Sequence, residues 1–122
     1  MILADTSVWV NHFRQYNPRL SQALLDGHIL MHPFVVGEIA CGNLRSRPKV
    51  LSDLRRLPSA IAADHEEVLG FVDQHRLFGE GITWIDAHLL ASALLTNCRL
   101  WTLDAHLLTA ANRLHIGYSA KN

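Results

Sequence analysis

Apolar residues follow two alternating patterns along the chain: short uninterrupted runs, and longer stretches with helical spacing. Met1 to Ala4 is an apolar run that stops at Asp5, and Val8, Trp9 and Phe13 then mark one side of a helix over residues 7–14. Residues 18–26 continue helical until Gly27 ends the element. Ile29, Leu30 and Met31, enclosed by His28 and His32, read as a second strand, and Pro33 suits the first turn of a helix running to about Asn43. Val50, Leu51, Leu54 and Leu57 predict a helix over 48–57 that Pro58 closes. A short third strand is expected over 59–63, and Asp64 then caps a helix carrying Val68, Leu69, Phe71, Val72 and His75. After a loop at Gly79 and Gly81, Thr83 opens a long helix to about Asn97. Residues 100–102 form the fourth strand, 104–114 a helix, and 116–118 the fifth strand.

Strands alternating with helices imply an α/β fold, a parallel sheet with helices on its faces joined by right-handed crossovers. No repeat or linker interrupts the 122 residues, a length that suits one domain over 1–122 with one core. Half of the composition is hydrophobic and eleven basic residues balance eleven acidic ones, as in a globular protein. Only three apolar residues separate Met1 from Asp5, and no apolar run approaches the roughly 20 residues of a membrane helix. A cytosolic protein without membrane partners is therefore expected. Cys41 and Cys98 are far apart with no C-x-x-C pair, and we assign them no chemistry. The charge is locally uneven: Arg45, Arg47, Lys49, Arg55 and Arg56 crowd around a single acid, Asp53. The cluster reads either as a solvated helix face or as a contact for phosphates or an acidic partner.

The chemistry lies in four acids. Asp5 ends the first strand, Asp104 comes two residues after the fourth, Asp86 sits in the first turn of the helix leading into the fourth, and Glu38 lies in the helix after the second. In a parallel sheet these positions share the carboxyl edge, where such folds bind ligands. Glu38 is deeper in its helix, but side chains tilt towards the helix N-terminus. Each acid has an ordinary explanation. Thr83 to Asp86 fits a T-x-x-D capping box, and Asp5 and Asp104 suit helix N-caps. Glu38 is harder to dismiss, because it interrupts the apolar stretch from Phe34 to Ala40.

Carboxylates brought together repel, and a proton or a cation must neutralise them. Mg²⁺ or Mn²⁺ prefers oxygen ligands and leaves room for a substrate phosphate. That chemistry suits phosphodiester hydrolysis by metal-activated water. Thr6 and Ser7, directly after Asp5, are candidates to support a carboxylate by hydrogen bonding, or serve only as helix caps.

The stretches Asp5-Thr6-Ser7-Val8-Trp9, Val36-Gly37-Glu38-Ile39-Ala40, Thr83-Trp84-Ile85-Asp86-Ala87-His88-Leu89-Leu90-Ala91 and Leu100-Trp101-Thr102-Leu103-Asp104 together resemble the PIN-domain ribonucleases, specifically VapC-type toxins. The resemblance spans nearly the whole chain, and the order and spacing of the set make it specific although each motif alone is short. It implies a three-layer PIN-like fold with a five-stranded parallel sheet of order 3-2-1-4-5, and Mg²⁺- or Mn²⁺-dependent RNA endonuclease activity. Metal binding and catalysis would fall to Asp5, Glu38, Asp86 and Asp104, with Thr6 or Ser7 in support. Such proteins usually pair as homodimers and are blocked by a small antitoxin whose tail enters the site. One departure is that Ala105 and His106 follow Asp104 where relatives often carry a basic residue. His106 or the patch of Arg45, Arg47, Lys49, Arg55 and Arg56 then becomes the candidate contact for RNA or antitoxin.

Other readings fall away or stay in second place. On a strand, His28 and His32 would stand roughly 13 Å apart, too far to share zinc. The long helix from Thr83 is apolar nearly all round, so it is either deeply buried or shared with a second subunit. Trp9, Trp84 and Trp101 are read as core, and His88 as a packed histidine. A phosphate-binding loop needs Gly-Lys-Ser/Thr, but the only lysines are Lys49, after a proline, and Lys121, near the end. The same lack of a placed lysine disfavours an aspartyl-phosphate enzyme. The remaining rival is a catalytically silent PIN-like module that binds RNA or protein.

Overall fold

The computed structural model describes residues 1–119, so Lys121 lies outside it. Strand β1 (Ile2–Ala4) leads into helix α1 (Thr6–Arg14) and, after a short turn, α2 (Pro18–Leu25). Strand β2 (Ile29–Leu30) is followed by α3 (Pro33–Ala40), α4 (Arg47–Arg55), α5 (His65–Gln74) and α6 (Trp84–Thr96), then by β3 (Arg99–Trp101) and α7 (Ala105–Arg113). The three strands form a parallel sheet in the order β2-β1-β3, with Leu3 opposite both Leu30 and Leu100. Leu3 and Ala4 are both fully buried. Successive strand residues point to opposite faces, so both faces of the sheet are covered, which is why these strands read as unbroken apolar runs.

The sheet departs from the expected five strands. At the positions of the third and fifth there are single parallel bridges, Met31 with Ser59 and Leu100 with Gly117. Backbone hydrogen bonds join these flanks to their neighbours from Met31 N to Pro58 O and Ala60 N to Met31 O on one side, and from Leu100 N to Ile116 O and Tyr118 N to Leu100 O on the other. Composition accounts for this. Pro58 has no N–H to donate, Ala60, Ala62 and Ala63 have weak strand preference, and Gly117 interrupts the last run. Gly117 is also held tightly, since a Cβ there would collide with the Asn112 side chain.

Helix α3 stops at Ala40, short of the expected Asn43, and the Arg47 guanidinium donates to the free Ala40 carbonyl at 2.9 Å. Helix α6 ends where Asn97 turns left-handed at φ 59°, a conformation that Asn tolerates better than most residues. The all-round apolar sequence of α6 is explained mainly by burial within this one chain: residues 87–93 are all buried, whereas Leu95 is exposed. Among the described residues no helix is long and apolar enough to cross a membrane. Trp9 and Trp101 are core residues as expected, but Trp84 is 38% exposed. It heads a chain of ring contacts that runs from His65 through Trp84 and His88 to Phe34 and His32.

His32 caps α3, its Nδ1 accepting from Phe34 N at 3.0 Å. Burial, with the neighbouring His88 as a lesser cause, pushes its pKa down to about 4. Between that value and the ordinary 6.5 the unfolded chain holds a proton that the folded chain refuses, so stability present above about 6.5 is lost as the pH falls towards 4. At most about 3 kcal/mol is at stake, taking 1.36 kcal/mol per pKa unit. Denaturant melts at pH 7 and pH 5 should show His32→Asn, which keeps a capping oxygen, losing less stability on acidification than the natural chain. Equal losses in the two proteins would remove His32 as the cause.

Candidate active site

Asp5 sits where β1 gives way to α1, and its buried carboxylate is held on both oxygens. Oδ1 accepts from the Ser7 hydroxyl and from Val8 N, the latter at 3.1 Å, and Oδ2 accepts a short hydrogen bond from the Thr102 hydroxyl. The same two hydroxyls accept from the turn between β3 and α7: Leu103 N donates to Ser7 Oγ at 3.0 Å, and Asp104 N to Thr102 Oγ1 at 3.0 Å. One network therefore ties the first acid to the backbone of the fourth. Thr102 is the residue that the sequence reading passed over. Its signal was a polar side chain closing an apolar strand, two residues before an acid.

Asp104 caps α7 through Leu107 N at 3.0 Å. Asp86 and Thr83 form the expected capping box at the start of α6, with Thr83 N donating to Asp86 Oδ2 at 3.0 Å and Asp86 N to Thr83 Oγ1 at 3.1 Å. Glu38 is fixed by Thr6 at the first turn of α1, whose hydroxyl donates to Glu38 Oε1 at 2.6 Å. Capping and clustering thus coexist at three of the four acids. The second oxygen of Glu38, Asp86 and Asp104 makes no hydrogen bond among the described residues and is free for a ligand.

The four carboxylates act on one another. Burial raises the Asp86 pKa above the ordinary carboxylate value against the hydrogen bonds from Thr83, and the charges of Asp104 and Glu38 raise it further. Burial also raises the Asp5 pKa against the hydrogen bonds from Ser7, Thr102 and Val8, and the charge of Asp86 adds to the rise. In both cases burial is the larger cause and the neighbouring charges the smaller one. A cation among them would relieve both burial and repulsion. Among the described residues no group of three or more His, Cys, Asp or Glu side chains is arranged to hold a metal ion. The donor chemistry alone, four carboxylates without His or Cys, is the kind that hard ions such as Mg²⁺ or Mn²⁺ take while keeping several waters, and not the His and Cys set of zinc.

The basic patch divides. Arg47 is used on Ala40, Lys49 pairs with Asp53 at 3.0 Å, and Arg56 stands 4.0 Å from the same carboxylate. Arg45 instead lines a groove of about 490 Å³ between α1, α3 and the start of α4, with Phe13, Arg14, Ile39 and Leu44 on its walls and Glu38 among its lining. Arg55 borders a smaller hollow beside His32. Arg14 was not singled out from the sequence, because the groove is assembled from separate segments that no local pattern connects. His106 is exposed and lies against Gly81, near neither Arg45 nor Arg55 in any contact of the described residues.

The chain matches the PIN domain family over residues 2–113 and belongs to that family. It is 43% identical over 111 residues to ribonuclease VapC32 of Mycobacterium tuberculosis, a match that covers 90% of each chain. Solved structures at lower identity share the fold. FitAcB from Neisseria gonorrhoeae aligns with a TM-score of 0.59 at 23% identity, covering 92% of this chain and 94% of the other. PAE2754 from Pyrobaculum aerophilum aligns with a TM-score of 0.60 at 16% identity, covering 90% of this chain and 78% of the other.

Proposed function

We propose that the protein is a single-domain, divalent-metal-dependent endoribonuclease, the toxin of a toxin–antitoxin pair acting in the cytosol. The observation that carries this reading is the hydrogen-bond network that ties Asp5 through Ser7 and Thr102 to the backbone at Asp104, in a chain 43% identical over 111 residues to a ribonuclease; the charges of Glu38 and Asp104 on Asp86, and of Asp86 on Asp5, support it. In this reading the four carboxylates hold Mg²⁺ or Mn²⁺, Ser7 and Thr102 fix the orientation of Asp5, and Thr6 fixes Glu38. The bound ion would supply a Lewis acid for activating water and stabilising the leaving oxygen at an RNA phosphodiester. Deprotonated carboxylates are required to hold it, and the raised pKa of Asp5 and Asp86 makes ion and proton competitors for the same site.

The groove beside Glu38 suits an antitoxin tail, since its apolar walls accept side chains while Arg14 and Arg45 meet acidic groups. A homodimer would use the exposed strip of Trp84 and Phe34 together with Leu95 on α6. Of the basic residues, Arg45 and Arg55 are the proposed RNA or antitoxin contacts, because Arg47, Lys49 and Arg56 already have partners. Arg45→Ala should weaken RNA binding and lower the salt dependence of the binding constant by about one phosphate contact, whereas Lys49→Ala should change neither. Filter binding across a salt series decides it, and equal slopes for the two variants would return the whole patch to plain surface.

Short structured RNAs incubated with the protein in Mg²⁺ or Mn²⁺, and then in chelator, test the main reading. Cleavage that needs the ion is expected. Cleavage that survives the chelator would end the metal mechanism, and tight RNA binding without cleavage of any RNA would favour the silent binding module.

A further inference from the structure

Two side chains of α7 close on the segment that leads into α6. The ring of His106 lies over Gly81 so closely that a Cβ at that position would stand 3.0 Å from its Nδ1 and 3.1 Å from its Cγ. Gly81 has φ +76°, so its backbone also needs glycine. One residue earlier, Glu80 meets Arg113 at 3.6 Å. His106 and Arg113 are seven positions apart on α7, and with Thr109 and Ala110 they line one face that borders a hollow over Glu80. Two residues after Gly81 the capping box at Thr83 begins and sets Asp86, while α7 itself starts at Asp104. The clasp therefore joins the two elements whose carboxylates repel each other across the site.

We infer that His106 is a positioning residue: its ring, stacked on Gly81, holds the approach to α6 against α7 and so fixes the capping box that carries Asp86 relative to the start of α7 at Asp104. This rests on the nuclease reading only for its consequence, because the clasp itself is a property of the chain without ion or RNA. It also gives His106 a role other than gripping the scissile phosphate. A ring is needed at 106, and a ring nitrogen is not. Arg113 contributes the second contact of the clasp, but an exposed ion pair is worth little on its own.

Three proteins decide it: the natural chain, His106→Ala and His106→Phe. Without ion or RNA, hydrogen exchange at the amides of residues 81–86 should speed up in His106→Ala and return towards the natural rate in His106→Phe. In calorimetric titration with Mn²⁺ and no RNA, His106→Ala should bind the ion roughly tenfold more weakly, at the low end of what loss of a supporting contact costs a metal site, and His106→Phe should recover most of it. At saturating Mn²⁺ the KM for RNA should be unchanged in both. Unaltered exchange in His106→Ala overturns the clasp. A raised KM shared by His106→Ala and His106→Phe, with Mn²⁺ binding intact, overturns it in favour of a phosphate contact. Failure of the natural chain to bind Mn²⁺ would strike the nuclease reading instead, and the exchange result would still judge the clasp.

Discussion

Asp86→Asn is expected to lose RNA cleavage by roughly 10³-fold or more, about 4 kcal/mol of transition-state stabilisation, while folding as well as the natural chain or slightly better. In the proposed reading Asp86 would hold the ion together with Asp5, Glu38 and Asp104, and the amide would take one negative charge out of that set. The same charge is a burden to the fold. Its raised pKa means that the charged form is disfavoured by folding, and the amide removes that cost. The local structure survives because the amide oxygen still accepts from Thr83 N in the capping box. Calorimetric melting and cleavage assays on the same preparation separate the two effects. Cleavage at the natural rate would remove Asp86 from the site, and a large fall in melting temperature would mean that the charge stabilises the fold by an interaction not recognised in this structure.

Thr102→Val should cost about 3 kcal/mol of stability and at least tenfold in cleavage at limiting metal ion, although the two side chains have the same shape. The hydroxyl of Thr102 donates to Asp5 and accepts from Asp104 N, so the substitution strands a buried carboxylate oxygen and a backbone N–H at once. An unsatisfied buried group costs about 1–3 kcal/mol, more when charged. The loss of a donor to the charged form should also raise the Asp5 pKa further, so the Mn²⁺ concentration for half-maximal cleavage should climb, most steeply at acidic pH. Thr102→Ser, which keeps the hydroxyl, should recover both stability and metal dependence. Denaturant melts of Thr102→Val in an Asp5→Asn background supply the control: the two costs should not add, since they break one network. Additive costs would mean that Thr102 acts on the core and not on Asp5.

The legible part of the site is the part set by local pattern. Asp5, Asp86 and Asp104 announced themselves as residues at the ends of strands or the starts of helices; Asp5 and Asp104 cap helices and Asp86 completes the capping box begun by Thr83, as the sequence suggested. Glu38 was visible as a charge inside an apolar stretch, whereas Thr6, a candidate in sequence to support some carboxylate or to cap a helix, gained Glu38 as its partner only through the fold. Thr102 was not legible in the same way, because a threonine ending a strand has many uses and only the sheet register sets Ala4 beside Trp101 and so brings residues 5 and 102 together. The division of the basic cluster was equally hidden. Five neighbouring cations look alike in sequence, and what separates Arg45 from Arg47 is that α3 ended early and left the Ala40 carbonyl in need of a donor.

The alternation of apolar runs with helical spacing was enough to specify an α/β chain, the sequence order of its helices, and the carboxyl edge on which its acids lie, because these follow from periodicity and from the handedness of crossovers. Packing decided the rest. It decided that Trp84 reaches the surface, that Thr102 bonds to Asp5, and that His106 lies on Gly81. Those outcomes depend on distances between segments far apart along the chain, and no residue's neighbours in sequence carry that information.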